Sequence, residues 1–550
     1  MKNRLRSIAL TLALTLPLTL IYAQSFPGLN WSYALPAPSF GSAASADVDE
    51  DGFLEIIFTT YTADGKAHCL NAEDGTVRWT FDIGGCGDVA PLIYDFNQDD
   101  TLDVFINGSC NPTCFCINAR TGRLLWSMPS GGGDSPPTVA DIDGDNKPEI
   151  LFGNFSGQVR ILNGEDGSLN RTVIFAPGIG AIQTEPTIGD LDGDGDLDFI
   201  ACNHFNNGGF YTWAYDYATD DTLWTNYKFD TAATYYAYHG GVLADVDNDT
   251  KLEYVIGDNA GAIRALNAED GSVLWEVTGL TNVISALSCA NFDSDPALEI
   301  VYSNNDYILP YDDHIGLLDG ATGNLDWSYP LVFSAFRGVA ISDINGNGKL
   351  DCVSGHYMGE VIAVEPFTGL IWNFDADPLL PPGLPYWDVD HGPVIADFDH
   401  NGTMDVFMVA GYGTYFPDSQ NVGVAFCIEG GQNATGCPEW RMFRQDVERS
   451  GYLSDQDIAA SCAQVSVEAP VAPGATAYPN PATNSIRFEW PSHTTEPAKL
   501  TIFDLQGRIV AAEAAYNIGE RVGLEMAPGM YFWRLMQGGE STSGKMEVVR

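Results

Sequence analysis

One phrase recurs eight times along this chain of 550 residues, and it limits the architecture more than any other feature. The copies are ADVDEDGFLEI (46–56), YDFNQDDTLDV (94–104), ADIDGDNKPEI (140–150), GDLDGDGDLDF (189–199), ADVDNDTKLEY (244–254), ANFDSDPALEI (290–300), SDINGNGKLDC (342–352) and ADFDHNGTMDV (396–406). The first acid or amide of each falls at 47, 95, 141, 190, 245, 291, 343 and 397, so the period is 46 to 55 residues. A period of that length points to stacked supersecondary units, each unable to bury its apolar face alone.

A second phrase alternates with the first. CLNAEDGTVRW ends at Trp79, CINARTGRLLW at Trp126, ALNAEDGSVLW at Trp275, LLDGATGNLDW at Trp327 and AVEPFTGLIW at Trp372. ILNGEDGSLNR has Arg171 at the tryptophan position, and Trp224 closes a looser copy. Each reads as a strand, a tight Asp-Gly or Thr-Gly turn and a second strand. One period therefore contains four short strands: one entering the acidic loop, one leaving it, and a hairpin. Four antiparallel strands per period predict an all-β fold, an eight-bladed β-propeller, with a seven-bladed ring as the alternative. A solenoid is the other architecture such a period allows.

The ends of the repeat predict how the ring closes. The eighth loop is followed by only two strand-like runs, DVFMVAGYG and VGVAFCIEGG. Trp31 lies sixteen residues before Asp47, the offset of Trp79 to Asp95 and of Trp327 to Asp343. Segment 28–34 is thus expected to supply the missing strand of the last blade. PEWRMFRQDVERSG (438–451) is left over and is expected to pack outside the ring.

The loops carry acids at alternate positions and a further acid at position nine. They are Asp47, Asp49, Asp51 and Glu55; Asp95, Asn97, Asp99 and Asp103; Asp141, Asp143, Asp145 and Glu149; and Asp190, Asp192, Asp194 and Asp198. The second half of the chain adds Asp245, Asp247, Asp249 and Glu253; Asn291, Asp293, Asp295 and Glu299; Asp343, Asn345, Asn347 and Asp351; and Asp397, Asp399, Asn401 and Asp405. Alternate side chains on a curled loop converge on one centre, and a position-seven carbonyl such as that of Lys147 can join them. Hard oxygen ligands in that number suit calcium. An EF-hand would need flanking helices and a Glu at position twelve, and the flanks here are β-rich. The expectation is up to eight structural Ca²⁺ ions, held best around Asp47, Asp141, Asp190 and Asp245 and least well around Asp343, where only two acids remain. Acidic turns without metal would not need the position-nine acid.

Composition agrees. With 25 basic against 74 acidic residues the net charge is −49. This argues against nucleic acid or an anionic membrane surface as partner. Eight divalent ions would cancel about a third of that charge, and ions bound only by the folded chain stabilise it. At the N-terminus Lys2, Arg4 and Arg6 precede an apolar run, Ile8 to Tyr22, and Ala23, which reads as a signal peptide over 1–23. No other run is apolar enough to span a bilayer. Eleven cysteines in an exported chain make disulfides plausible. Cys202, Cys289 and Cys352 read as core residues, Cys437 and Cys462 lie late in the chain, and Cys86 lies on the same face as Cys110 and Cys114.

The DxDxDGxx[D/E] loops resemble the FG-GAP (VCBS-type) repeats of integrin α-subunit propellers and their bacterial relatives. The LNAEDGxxxW hairpins resemble quinoprotein-like propeller blades. Together the resemblance covers about 25–452, within an expected propeller domain of 24–452. YPNPATNSIRFEW (478–490), LTIFDLQGRIV (500–510), MAPGMYFWRL (526–535) and GKMEVV (544–549) resemble the type A sorting domain of the type IX secretion system. Alternating strands and Gly-rich turns independently read as a small β-sandwich over 478–550, after a linker at 453–477. The resemblance implies export to the outer cell surface through the type IX machinery.

The face opposite the acidic loops is where the repeat breaks. The residues six and seven before each loop, with their aromatic neighbours, include Asp88, Asp134, Gln183, Tyr238, His239, Arg337, Tyr386, Trp387, Asp390 and His391. In a closed ring they surround one mouth of the channel. Tyr238, His239, Arg337, Tyr386, Trp387, Asp390 and His391 form the expected carbohydrate or protein (peptide) site. The reading is a non-enzymatic binding or adhesion module. The alternative is a calcium-dependent polysaccharide lyase using His239, Arg337 and His391. A quinone-dependent dehydrogenase is disfavoured, because no vicinal Cys-Cys pair is present.

Overall fold

The computed structural model describes residues 27–466 except 176–179, 205–209, 229–235, 305–312, 332–334, 385–387 and 432–436. It also describes 476–549 except 479–484, 490–496, 504–508, 519, 524–526 and 538–539. The chain divides into two compact units, Met1–Val465 and Ser466–Arg550. The predicted signal segment 1–23 lies outside the described residues.

The first unit contains eight four-stranded antiparallel sheets. Blade one shows the pattern: Ala44–Ala46, Glu55–Thr59, Lys66–Asn71 and Val77–Asp82, here called strands a to d from the channel outward. The a strands of successive blades lie against one another around the channel. Strand b is buried along its whole length in every blade, from EIIFT in the first to DVFMVAGY in the last. Its two faces enter different cores. Ile56 and Phe58 pack with Trp31, Val394 and Phe407 of blade eight, whereas Ile57 packs with Ile93 and Val104 of blade two. Alternate side chains of a strand point to opposite faces, so a sheet sandwiched between two neighbours needs apolar residues at every position of its second strand. Strand d is outermost and alternates exposed with half-buried residues.

Ring closure follows the tryptophan offset. Gly28–Leu35 pairs antiparallel with Val422–Glu429 and becomes strand d of the blade whose other strands are Val394–Ala396 and Asp405–Tyr412. In six of the eight blades the tryptophan of strand d latches onto the next blade. Trp31 Nε1 donates to the Ala72 carbonyl at 2.7 Å, Trp79 to Ala119 at 2.7 Å and Trp275 to Gly320 at 2.6 Å. Each indole also lies over the turn glycine of the next hairpin. Gly75 has φ +72°, and a Cβ there would collide with the Trp31 ring, so both conformation and space demand glycine. Arg171 performs the same task without a ring. Its guanidinium lies 3.8 Å from the Tyr217 ring centroid and donates to the Tyr217 carbonyl at 2.7 Å.

The segment expected outside the ring fills its channel instead. Trp440 exchanges two backbone hydrogen bonds with Ile395 of blade eight. Ser45 N donates to Arg441 O at 2.9 Å, Val139 N to Val447 O at 3.2 Å, Leu243 N to Ser450 O at 3.0 Å and Cys289 N to Gly451 O at 2.8 Å. Ser342 Oγ reaches Pro438 O, Arg449 reaches Pro91 O, and Arg444 pairs with Glu185 at 3.0 Å. All eight blades are thereby touched. The physical reason is that eight inner strands leave eight unpaired backbone edges, and a buried edge must find partners. Two arginines, Arg444 and Arg449, are 2% and 0% exposed in this plug and spend their donors on carbonyls.

The expected linker also differs at its start. Asp455–Ser466 is an α-helix, begun by a reciprocal cap in which Ser454 Oγ accepts from Asp457 N and Asp457 accepts from Ser454 N. Cys462 in this helix is joined to Cys437 at the start of the plug. The second disulfide is Cys86–Cys110, which leaves Cys114 free and buried with Cys69, Cys116, Cys202, Cys289, Cys352 and Cys427.

The second unit is a small β-sandwich. One sheet holds Thr476–Tyr478, Ser485–Glu489 and Arg521–Gly523; the other holds Ile509–Tyr516, Ala498–Phe503, Gly529–Gln537 and Glu540–Val548. Ile486, Phe488, Leu500, Ile502, Trp533 and Met546 form its core. Among the described residues no helix is long and apolar enough to cross a membrane.

Candidate functional site

Each acidic loop joins strand a to strand b, and its geometry is built by its own carboxylates. In loop five Asp249 N donates to Asp245 Oδ1 at 2.9 Å and to Asp247 Oδ1 at 3.1 Å, and Thr250 N donates to Asp245 Oδ2 at 2.9 Å. These bonds curl the loop so that its acids face one point. Ligand oxygens of Asp47, Asp49 and Glu55, of Asp141, Asp143 and Glu149, of Asp190, Asp192 and Asp194, and of Asp245, Asp247 and Glu253 lie within 4.8 Å of one another in each set.

The position-nine acid is the first residue of strand b and is buried in every blade, from Glu55 at 1% to Asp405 at 0% exposed. In every blade but the second, one of its oxygens accepts the N–H of loop position two: Val48 to Glu55 at 2.9 Å, Leu191 to Asp198 at 3.1 Å, Val246 to Glu253 at 3.0 Å, Phe398 to Asp405 at 3.0 Å. The other oxygen accepts no hydrogen bond from described residues in Asp198, Glu299 and Asp351. Burial, then the neighbouring loop carboxylates, pushes Glu149 up to about 8; burial likewise raises Glu253 to about 8. A buried, partly unpartnered carboxylate among like charges lacks a counter-charge, and a hard cation fits that need. Four side-chain oxygens, a loop carbonyl and water reach the coordination number calcium takes.

The loops are not equivalent, and the structure shows departures that residue counting misses. Arg78 on strand d reaches into loop one, where it pairs with Asp49 and lies 3.1 Å from Glu55 Oε1. The same position holds Asn170, which donates to Asp143 Oδ2 at 3.1 Å, and Asn30, which donates to Asp405 Oδ1 at 2.8 Å. In loop six the Asn291 amide turns onto the Asp295 carbonyl at 3.0 Å. In loop seven Asn345 donates to Asp351 and Asn347 to Glu365, while Lys349 Nζ sits 2.8 Å from Glu365 Oε1. Loop four gains an acid: Asp216, at the end of strand c and directly across from Asp198, groups with Asp196 and Asp198. The signal for it was the Asn of the LNAEDG phrase, which pairs across from position nine in blades one, three and five (Glu55 with Asn71, Glu149 with Asn163, Glu253 with Asn267).

At the opposite mouth the connections between blades bring together four of the seven expected residues, Tyr238, His239, Arg337 and Asp390, while the ring of His391 meets Phe407. Tyr386 and Trp387 lie outside the described residues. Arg337 lies 5.3 Å from the Tyr238 ring and 3.6 Å from Asp390 Oδ1. His239 meets the rings of Tyr238, Phe336 and Phe443. His239 and His391 are 3% and 1% exposed, and burial lowers both, His391 to about 3. Both rings are packed out of solvent, and burial disfavours their charged form.

Two further acids join the cluster. Asp134 accepts from Ser109 and from Gln183 Nε2 at 2.5 Å. Asp88 feels Asp134, Arg337 and Asp390, and burial followed by Asp134 pushes it up to about 8. The Cys86–Cys110 disulfide flanks Asp88 on one side and Ser109 on the other, and so fixes this part of the rim. Below the rim a small cavity of about 10 Å³ is lined by Ser42, Arg337, Gly392, Trp440, Phe443 and Arg444.

Comparison with known proteins agrees with this architecture. Residues 141–201 match the FG-GAP-like repeat, 235–380 match the outer membrane protein assembly factor BamB family, and 476–549 match the secretion system C-terminal sorting domain. No curated protein sequence matches the chain significantly. Among solved structures a europium-containing methanol dehydrogenase is 12% identical, covering 73% of this chain and 93% of that one with a TM-score of 0.54. Quinohemoprotein alcohol dehydrogenase ADHIIG of Pseudomonas putida HK5 is 15% identical over 74% of this chain and 76% of that one, TM-score 0.51. Sqt1 of Saccharomyces cerevisiae is 13% identical over 73% and 99%, TM-score 0.51. At such identities the likeness establishes the propeller fold alone. The sorting domain indicates secretion by the type IX route to the cell surface.

Proposed function

We propose that this chain is a secreted propeller stabilised by calcium in its acidic loops, with a ligand-binding mouth on the opposite face that serves binding or adhesion to a carbohydrate or protein. The observation that supports binding is the convergence of polar side chains from successive inter-blade connections on one mouth, with acceptor atoms of Asp88, Gln183 and Asp390 left without hydrogen bonds among the described residues. Pull-down and glycan-array screening with the calcium-saturated chain tests it. A ligand lost on substitution at the mouth, and retained on substitution in a surface hairpin such as Leu124→Ser, is the expected result.

The buried position-nine carboxylates support the calcium reading. Loops three, four and five have the fullest acidic sets free of an internal cation at their centre, and they are the expected strong sites. Loop one differs from its sequence rank because Arg78 already supplies a positive charge there. Replacing it, as Arg78→Leu, is expected to add one equivalent of bound calcium, read by isothermal titration; unchanged stoichiometry would remove Arg78 as an internal substitute for the ion. Loop seven, held by Lys349 and two amides, is expected to stay empty at millimolar calcium.

A further inference from the structure

The channel mouth is short of positive charge. Asp88, Asp134 and Asp390 face a single guanidinium, that of Arg337, and because Asp88 keeps its proton up to about 8, Asp134 and Asp390 are the acids left to be balanced. Arg337 Nε makes no hydrogen bond, and its 3.6 Å approach to Asp390 is an ion pair without direct donation. Asp134 is held from one side by Ser109 and Gln183. Gln183 is only 5% exposed, its amide nitrogen is committed to Asp134, and its Oε1 accepts no hydrogen bond from described residues. Oδ1 of Asp88 and of Asp390 likewise accept no hydrogen bond from described residues, that of Asp390 facing Arg337 as an ion pair only. Within the acidic group the orphan atoms are acceptors, while Arg337 Nε and the ring nitrogens of His239 and His391 also lack hydrogen-bond partners among the described residues. A neutral hydroxyl could satisfy one or two of them but would leave the charge unbalanced. A group with several N–H donors and a positive charge satisfies both. The rings at the rim, Tyr238 and Phe336, add quadrupole faces that favour a cation.

We infer that the mouth receives the cationic head of a basic side chain, lysine or arginine, presented by a peptide or protein. The inference rests on the mouth being the ligand site and adds the chemistry of what enters it. The head sits between Asp88 and Asp134, with Gln183 Oε1 as a further acceptor, and Arg337 remains as the opposing charge that excludes a second cation. Carboxylate recognition at this point is disfavoured, because one guanidinium already has three acids around it. Free polyamines share the head-group chemistry, and they differ from a peptide in lacking contacts beyond the head.

The test uses the full chain saturated with calcium. Methylguanidinium and butylammonium are titrated by calorimetry against N-methylurea as the neutral isostere, alongside short Arg- or Lys-bearing peptides, spermidine and a panel of neutral oligosaccharides. Binding of the cationic probes but not of N-methylurea is expected, with affinity falling at least tenfold in Asp88→Asn and in Asp390→Asn. Two carboxamides are used so that a fold defect in one leaves the other informative, and thermal melts of both are expected to match or exceed the parent. Peptides binding tenfold or more above methylguanidinium support a peptide source. Spermidine outcompeting every peptide would overturn that source. Saccharide binding at the mouth without response to any cation would overturn the cationic assignment while leaving the ligand site standing. Cation binding unaffected by either carboxamide would place it elsewhere and overturn the inference. Failure of peptide, amine and saccharide alike would remove the mouth as a ligand site.

Discussion

Stripping calcium with a chelator is expected to lower the thermal midpoint of the propeller by on the order of 10 °C. An ion bound only by the folded chain contributes about 2.7 kcal/mol when present at a hundredfold its dissociation constant. Three strong loops then contribute roughly 8 kcal/mol, and in a large domain each kcal/mol moves the midpoint by about 2 °C or somewhat less. The effect has a local origin. Without the ion, Glu149, Asp198 and Glu253 start their strands as buried carboxylates beside two or three others. Those strands are the fully buried b strands, so strain at a loop is passed directly to two inter-blade cores. Magnesium is expected to restore little, since it demands a tighter octahedral shell than a nine-residue loop with long-reach acids offers. Scanning calorimetry in calcium, in chelator and in chelator with magnesium checks this.

The second large effect is expected from the plug. Replacing Arg444 with methionine removes the cation that faces Glu185 at 3.0 Å and leaves the Gly240, Gly241, Arg449 and Ser450 carbonyls without its donors. Breaking a buried pair by deleting one partner costs about 3–5 kcal/mol, because the remaining charge stays buried. The midpoint is expected to drop by several degrees, and Glu185→Gln in the same chain is expected to recover part of the loss, since the stranded charge is then gone. Additive losses in the double variant would show that the two side chains act separately. Denaturant unfolding of the single and double variants supplies the numbers.

The repeat made much of this fold legible, because its information is local. The acidic loop, the Asp-Gly hairpin and the apolar run between them each specify one turn or strand, and eight copies reinforce one another. Trp31 disclosed the clasp because it keeps its distance from Asp47. What the sequence hid depends on pairings between distant residues. Trp440 meets Ile395 and Arg441 meets Ser45 through backbone bonds that leave no side-chain pattern. The plug occurs once, so no repetition reveals it. Arg78 looks like an ordinary exposed strand residue, yet strand d brings it over loop one, where it pairs with Asp49 and Glu55. Arg171 looks like a lost tryptophan but preserves the latch through its guanidinium. At the mouth the positions aligned before each loop did converge, whereas the roles of Ser109 and Gln183 emerged only from their shared contact with Asp134.

The account turns on whether the acidic loops hold calcium. The most direct measurement is the number of calcium ions retained per chain after dialysis against low-micromolar calcium, by elemental analysis of the purified protein. The expected result is at least three ions, lost one at a time when Glu149, Asp198 and Glu253 are changed to Gln or Asn. A chain that retains none, and melts at the same temperature with and without chelator, would contradict it.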